Sequence, residues 1–69
     1  MKPEEKKALI DSAKAIYSIS CDSVHKAIAK KDKNALDRAS TAVDFTALTI
    51  RVMLTSIGFS DEDIKNVLA

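Results

Sequence analysis

The segment Ala39–Ile57 constrains the fold more than any other part of this chain, because it is the one long run that is apolar on more than one side. Read as a helix at about 100° per residue, it carries one broad apolar face and one narrow apolar stripe. A helix with two apolar faces needs two sets of neighbours. The broad face has the width expected of a core-facing side and comprises Leu36, Ala39, Ala42, Val43, Ala47, Ile50, Met53, Leu54 and Ile57.

The narrow stripe lies on roughly the opposite side of the same helix. It consists of Phe45, Leu48 and Val52 and is called the outer stripe below. Polar residues are predicted to separate it from the broad face along both edges. One edge holds Asp37, Ser40, Asp44, Arg51 and Thr55, and the other holds Arg38, Thr49 and Ser56.

Length and composition favour a small all-helical domain. A chain of 69 residues is near the lower limit at which one core is stable without disulfides, metals or association. Its content of 46% hydrophobic and 30% charged residues is typical of a folded globular protein. One glycine and one proline leave few turn-forming residues, so the chain is expected to contain a few long elements.

Helix-start and helix-stop signals divide the chain into three helices. Pro3 with the two glutamates that follow it predicts a first helix over about residues 4–30, since proline suits the first turn and acids suit the positive end of the dipole. The polar cluster Lys30–Asn34 predicts a tight turn, with Asp32 or Asn34 capping the next helix. Such a short link requires the two long helices to be antiparallel neighbours.

The second helix is predicted over about residues 33–57 and the third over about residues 61–68. Gly58 has the position of a left-handed terminating residue, and Ser60 is suited to cap the third helix. The predicted fold is therefore all-α: an antiparallel helical hairpin of two long helices plus a short C-terminal helix, in a single domain.

We expect two such hairpins to pair into a dimeric four-helix-bundle core. The reason is that the core of one hairpin is small and leaves the outer stripe without an apolar neighbour. The predicted partner or dimer interface comprises Phe45, Leu48, Val52 and Phe59. In the alternative, a monomer, the third helix folds back and covers the outer stripe with Ile64, Val67 and Leu68.

Catalytic and metal chemistry is sparse. The single glycine excludes a glycine-rich phosphate loop, and one histidine, His25, does not assemble a catalytic triad. Cys21 and His25 share a helix face at a spacing of four, but two ligands do not make a zinc site. Only a two-fold dimer would bring four ligands together. We therefore predict no enzyme, no cofactor and no metal site.

Charge leaves nucleic acid as the alternative partner. The formal net charge of +1, with both signs mixed along the chain, argues against a dedicated nucleic-acid or membrane-surface protein. A basic face is nevertheless available, particularly if a dimer doubles it. The residues that would form it are Lys7, Lys14, Lys26, Lys30, Lys31 and Lys33.

The single cysteine and the absence of an apolar secretory h-region at the N-terminus make a cytoplasmic location the expectation. Asp44 and Arg51 make membrane insertion of the second helix costly. The sequence thus predicts a small non-enzymatic helical interaction module or regulator that binds another protein, as a homodimer. A nucleic-acid-binding helical dimer is the alternative.

Overall fold

The computed structural model describes all residues from Met1 to Ala69 and contains three helices, α1 (Pro3–Lys30), α2 (Lys33–Ser56) and α3 (Asp61–Leu68). α1 and α2 pack against each other as an antiparallel hairpin, and α3 packs against both of them. The molecule is elongated, with extents of 44 × 18 × 14 Å. The predicted all-α hairpin with a short third helix is confirmed.

The connection between α1 and α2 follows the predicted signals. Lys31 ends α1 in the left-handed conformation, with φ of 55°. Asp32 then caps α2, since its Oδ1 accepts a hydrogen bond from the N–H of Ala35 at 3.1 Å. Of the two residues predicted for this cap, the structure selects Asp32 over Asn34. This end of the hairpin is called the turn end, and the opposite end the open end.

The connection between α2 and α3 turns the chain back onto the hairpin. Gly58 has φ of 95°, a conformation that costs other residues about 1–2 kcal/mol. The N–H of Phe59 donates to the carbonyl of Leu54 at 3.0 Å, which satisfies one of the last carbonyls of α2. Ser60 caps α3 as predicted, its Oγ accepting from the N–H of Asp63 at 3.2 Å.

All three helices contribute to one core at the open end. Ile64 and Val67 of α3 are the most deeply buried, with 1% and 2% of their surface exposed. At the turn end the only buried residue is Ala27. The two long helices are therefore held most firmly where α3 joins them. The core cluster comprises Ala13, Ile50, Leu54, Phe59, Ile64 and Val67.

The hairpin seam in α1 matches the predicted spacing of three and four residues. These positions are all buried or half-buried, and large and small side chains alternate along them. Small residues allow close approach of the helix axes, whereas large ones fill the space between. The seam comprises Ile10, Ala13, Tyr17, Ser20, Val24 and Ala27.

A lysine of α1 fastens the start of α3 to the hairpin. The Nζ of Lys6 lies 3.0 Å from Oδ2 of Asp63 and 5.7 Å from the centre of the Phe59 ring. The ion pair with Lys6 is the main cause that lowers the pKa of Asp63, and the hydroxyl of Ser60 adds to it. Lys6 therefore contacts both the turn before α3 and its first turn.

Replacing Ile64 with alanine should destabilise the protein strongly. The change removes the most buried side chain, which costs about 2–5 kcal/mol in a packed core. A single core of this size supplies only about 3–5 kcal/mol, so α3 should detach or the whole chain unfold. Urea unfolding followed by far-UV circular dichroism measures this.

Ile28→Ala is the matched control, because Ile28 is 56% exposed and its truncation should change the free energy of unfolding by no more than about 0.5 kcal/mol. Equal urea midpoints for the Ile64→Ala and Ile28→Ala variants would contradict the docking of α3.

The ion pair predicts a pH-dependent contribution to stability. Because the pKa of Asp63 is lower in the folded state, its stabilising effect is present above the ordinary pKa of about 3.9 and is lost as the pH falls through the folded value. Asp63→Asn should therefore lower Tm at pH 6, and the difference from the wild type should vanish in acid. Asp61→Asn, the same change in the same turn of α3, should lower Tm less. A difference that grows in acid would be inconsistent with this pairing.

Candidate interaction surface

The outer stripe is exposed along α2. Phe45 is 71% exposed, Leu48 57% and Val52 56%. α3 does not cover it, because Ile64 and Val67 pack instead against the core residues of the hairpin. The alternative in which the third helix covers the outer stripe is therefore wrong.

Phe59 lies in the core and does not belong to the exposed surface. Only 8% of its surface is accessible, and it packs with Leu54 and Ile64 beneath the Lys6 ammonium group. Its predicted place in the interface is corrected, because Phe59 packs after the turn at Gly58 into the same core cluster as Ile64 and Val67 of α3.

Met53 and Ile57 differ from the prediction in the opposite way to Phe59, since the sequence assigns both to the buried core face of α2. In the structure Met53 is 61% exposed and Ile57 50% exposed. The centre of the contact with α1 falls on Ile50 and Leu54, both buried. Met53 and Ile57 lie on the flank that α3 leaves uncovered.

An open groove runs between α1 and α2 on that uncovered flank and encloses about 380 Å³. No residue of α3 lines it. On α1, Leu9 and Ile16 face this groove, whereas their neighbours Ile10 and Tyr17 pack against the core on the α3 side. The lining of the open groove comprises Leu9, Ser12, Ala13, Ile16, Ile50, Val52, Met53, Leu54, Ser56 and Ile57.

The open groove and the outer stripe join without a polar boundary. Thr49 and Ser56, which the sequence placed as a polar edge, turn their hydroxyls onto their own helix. Their Oγ atoms donate to the carbonyls of Phe45 and Val52 at 2.9 and 2.8 Å. Each hydroxyl thus uses its one donor within α2, so this part of the edge needs less water than two free hydroxyls would. Val52 belongs to both surfaces.

Charged side chains are absent from the lining of the open groove, where serines are the only polar residues. At 100° per residue, Asp44 and Arg51 of α2 fall on the α3 flank. An uncharged concave strip between two helices has the chemistry of a site for another apolar helix face. The sequence contained a usable signal for this groove, since Leu9, Ile16 and Ile19 recur on one flank of α1 with no charged residue among them.

The six lysines of the alternative nucleic-acid face do not form one patch. Lys26, Lys30, Lys31 and Lys33 are exposed at the turn end. Lys7 and Lys14 lie in the other half of α1, and Lys14 is about 24 Å from Lys30 at 1.5 Å per helical residue. The structure thus separates a turn-end cluster from two further lysines.

Cys21 and His25 line one shallow depression between α1 and α2, together with Asp44. Cys21 is a free, half-buried thiol. No three His, Cys, Asp or Glu side chains are grouped closely enough to hold a metal ion. Burial raises the pKa of the neighbouring Tyr17, and the adjacent Cys21 adds to that shift. The hydroxyl of Tyr17 is accordingly neutral at the edge of the seam.

The chain matches no model of a known protein family, and no curated protein or solved structure shows significant similarity to it. None of the three helices combines the length and hydropathy that crossing a membrane requires.

Proposed function

We propose that this protein is a small non-enzymatic interaction module that binds other protein surfaces through the helix faces of its hairpin and acts as a homodimer. The observation that carries the proposal is the joined apolar surface of the outer stripe and the open groove. Phe45, Leu48 and Met53 each have more than half of their surface exposed. That is a large apolar exposure for a chain of only 69 residues. Exposed patches that are contiguous and apolar mark interaction sites in soluble proteins.

The outer stripe presents a helix-to-helix mode of recognition. Its members are spaced by three and four residues, the spacing of anchor side chains on a helix that lies in a partner's groove. Phe45 supplies an aromatic anchor, the residue class that contributes most to binding when its ring becomes buried. The stripe therefore suits a partner with an apolar groove or a second amphipathic helix.

The Phe45→Asp, Leu48→Asp double variant tests this function. Both side chains are exposed, so the fold should persist and the far-UV circular dichroism spectrum should be unchanged. Placing two carboxylates in an apolar contact should abolish capture of partner proteins from an extract of the source organism. With an isolated partner, the double variant should raise Kd by more than about tenfold.

The matched control is the Ala8→Asp, Ala15→Asp double variant, which adds two acids to exposed positions of α1 and should keep full binding. Retention of the same proteins by both double variants would count against the outer stripe as the binding surface.

Nucleic-acid binding by a helical dimer remains the second candidate, because the turn end is basic. Residues 26–38 hold five cationic and two acidic side chains, a local charge of +3 in a chain whose net charge is +1. The ion pair found in the structure, between Lys6 and Asp63, uses none of these residues. The turn end could therefore contact phosphates directly.

This candidate predicts duplex DNA binding that weakens steeply with salt, measured by fluorescence anisotropy. The slope of log K against log salt should be about −0.9 for each phosphate contacted. Lys30→Glu with Lys31→Glu should reduce the affinity and flatten the slope. Lys7→Glu with Lys14→Glu changes charge equally and should have little effect, because these lysines lie in the other half of α1. An absent or salt-independent signal would remove the candidate.

A further inference from the structure

We propose that the open groove is closed by a second copy of this chain, and that the outer stripe residues Phe45 and Leu48 stay free for a different protein. This inference rests on the proposed function and deepens it, because it names the occupant of the groove. It also moves the dimer contact away from the outer stripe. The two surfaces then have two separate roles.

The exposed area supports an occupant of this size. The isolated chain exposes 5194 Å². A folded monomer of 7.5 kDa is expected to expose about 4,250 Å², so the chain carries an excess of about 950 Å². One partner in a standard protein–protein interface buries about 800 Å². The excess therefore matches one half of a stable dimer contact.

The shape leads to the same conclusion. The radius of gyration is 13.7 Å. A compact domain of 69 residues should have a radius of about 11 Å. The difference arises because two long helices lie side by side with α3 on one flank only. Placing a second hairpin on the other flank would double the thickness across the groove, and the assembly would be less elongated.

The chemistry of the groove suits self-pairing. A two-fold dimer places the same surface on both sides of the contact, so any charge in that surface would face its own copy. The groove is lined by no charged residue, and its Ser56 hydroxyl already bonds to its own helix. Leu9 and Ile16 of one copy can therefore meet Met53 and Ile57 of the other without burying a charge. The four long helices would form the bundle, with α3 outside on each copy.

Sedimentation velocity over a range of micromolar concentrations tests the dimer. The expected species has about twice the 7.5 kDa mass of the chain. Ile16→Glu should raise the dimer dissociation constant by more than about tenfold, because it puts a carboxylate in the groove. Leu48→Glu is the matched control, since the two side chains are 56% and 57% exposed, and it should leave the dimer intact. Circular dichroism checks that both variants fold.

Three results would overturn the proposal. A species of 7.5 kDa at every concentration would exclude the second copy. Dissociation by Leu48→Glu but not by Ile16→Glu would place the dimer contact on the outer stripe. A monomer that binds a foreign protein, with that binding lost in Ile16→Glu, would show that a different helix fills the groove. The protein-binding part of the proposed function, though not its homodimer, would survive a monomer whose Phe45→Asp, Leu48→Asp variant still loses its protein partner.

Discussion

The docking of α3 onto one flank of the hairpin is the interaction on which the rest of the structure depends. A two-helix hairpin buries only one stripe of each helix, and the contact between α1 and α2 alone would leave Ala13, Ile50 and Leu54 covered on one side only. Ile64 and Val67 complete that cluster and are themselves almost fully buried. Eight residues of helix would not be stable in isolation, so α3 and the open end of the hairpin stabilise each other.

The shortness of α3 also decides what the protein leaves exposed. One short helix can cover one flank of the hairpin at one end, and the opposite flank remains as the open groove. That flank is not an ordinary solvated surface, because its lining holds no charge and the hydroxyls of Thr49 and Ser56 are turned back onto α2. A surface that requires so little hydration is easily transferred from water into a protein contact.

Charge and apolarity are divided between different parts of the molecule. The turn end is cationic and has little core, whereas the open end holds the core and the groove. This division explains why the two candidate functions involve different residues. The proposed protein binding would use the side of α2 and the groove, and phosphate binding would use the turn.

The sequence by itself determined the three helices, their caps and their antiparallel order, because proline, glycine, aspartate and serine act on the backbone within a few residues. It also identified the exposed stripe at Phe45, Leu48 and Val52, since helical periodicity sets these residues apart from the broad face that packs on α1. It misassigned Phe59, Met53 and Ile57. For each of them the outcome depended on which flank α3 would occupy.

Only the tertiary structure decided that question. Helical periodicity gives the angle of a side chain about its own axis, and the broad face of α2 spans both flanks of the contact with α1. The turn at Gly58 directs Phe59 and α3 to one of those flanks, where Lys6 pairs with Asp63. Apolar residues on that side became core. Residues of the same apolar character on the other side became a groove, because α3 covers only one of the two flanks.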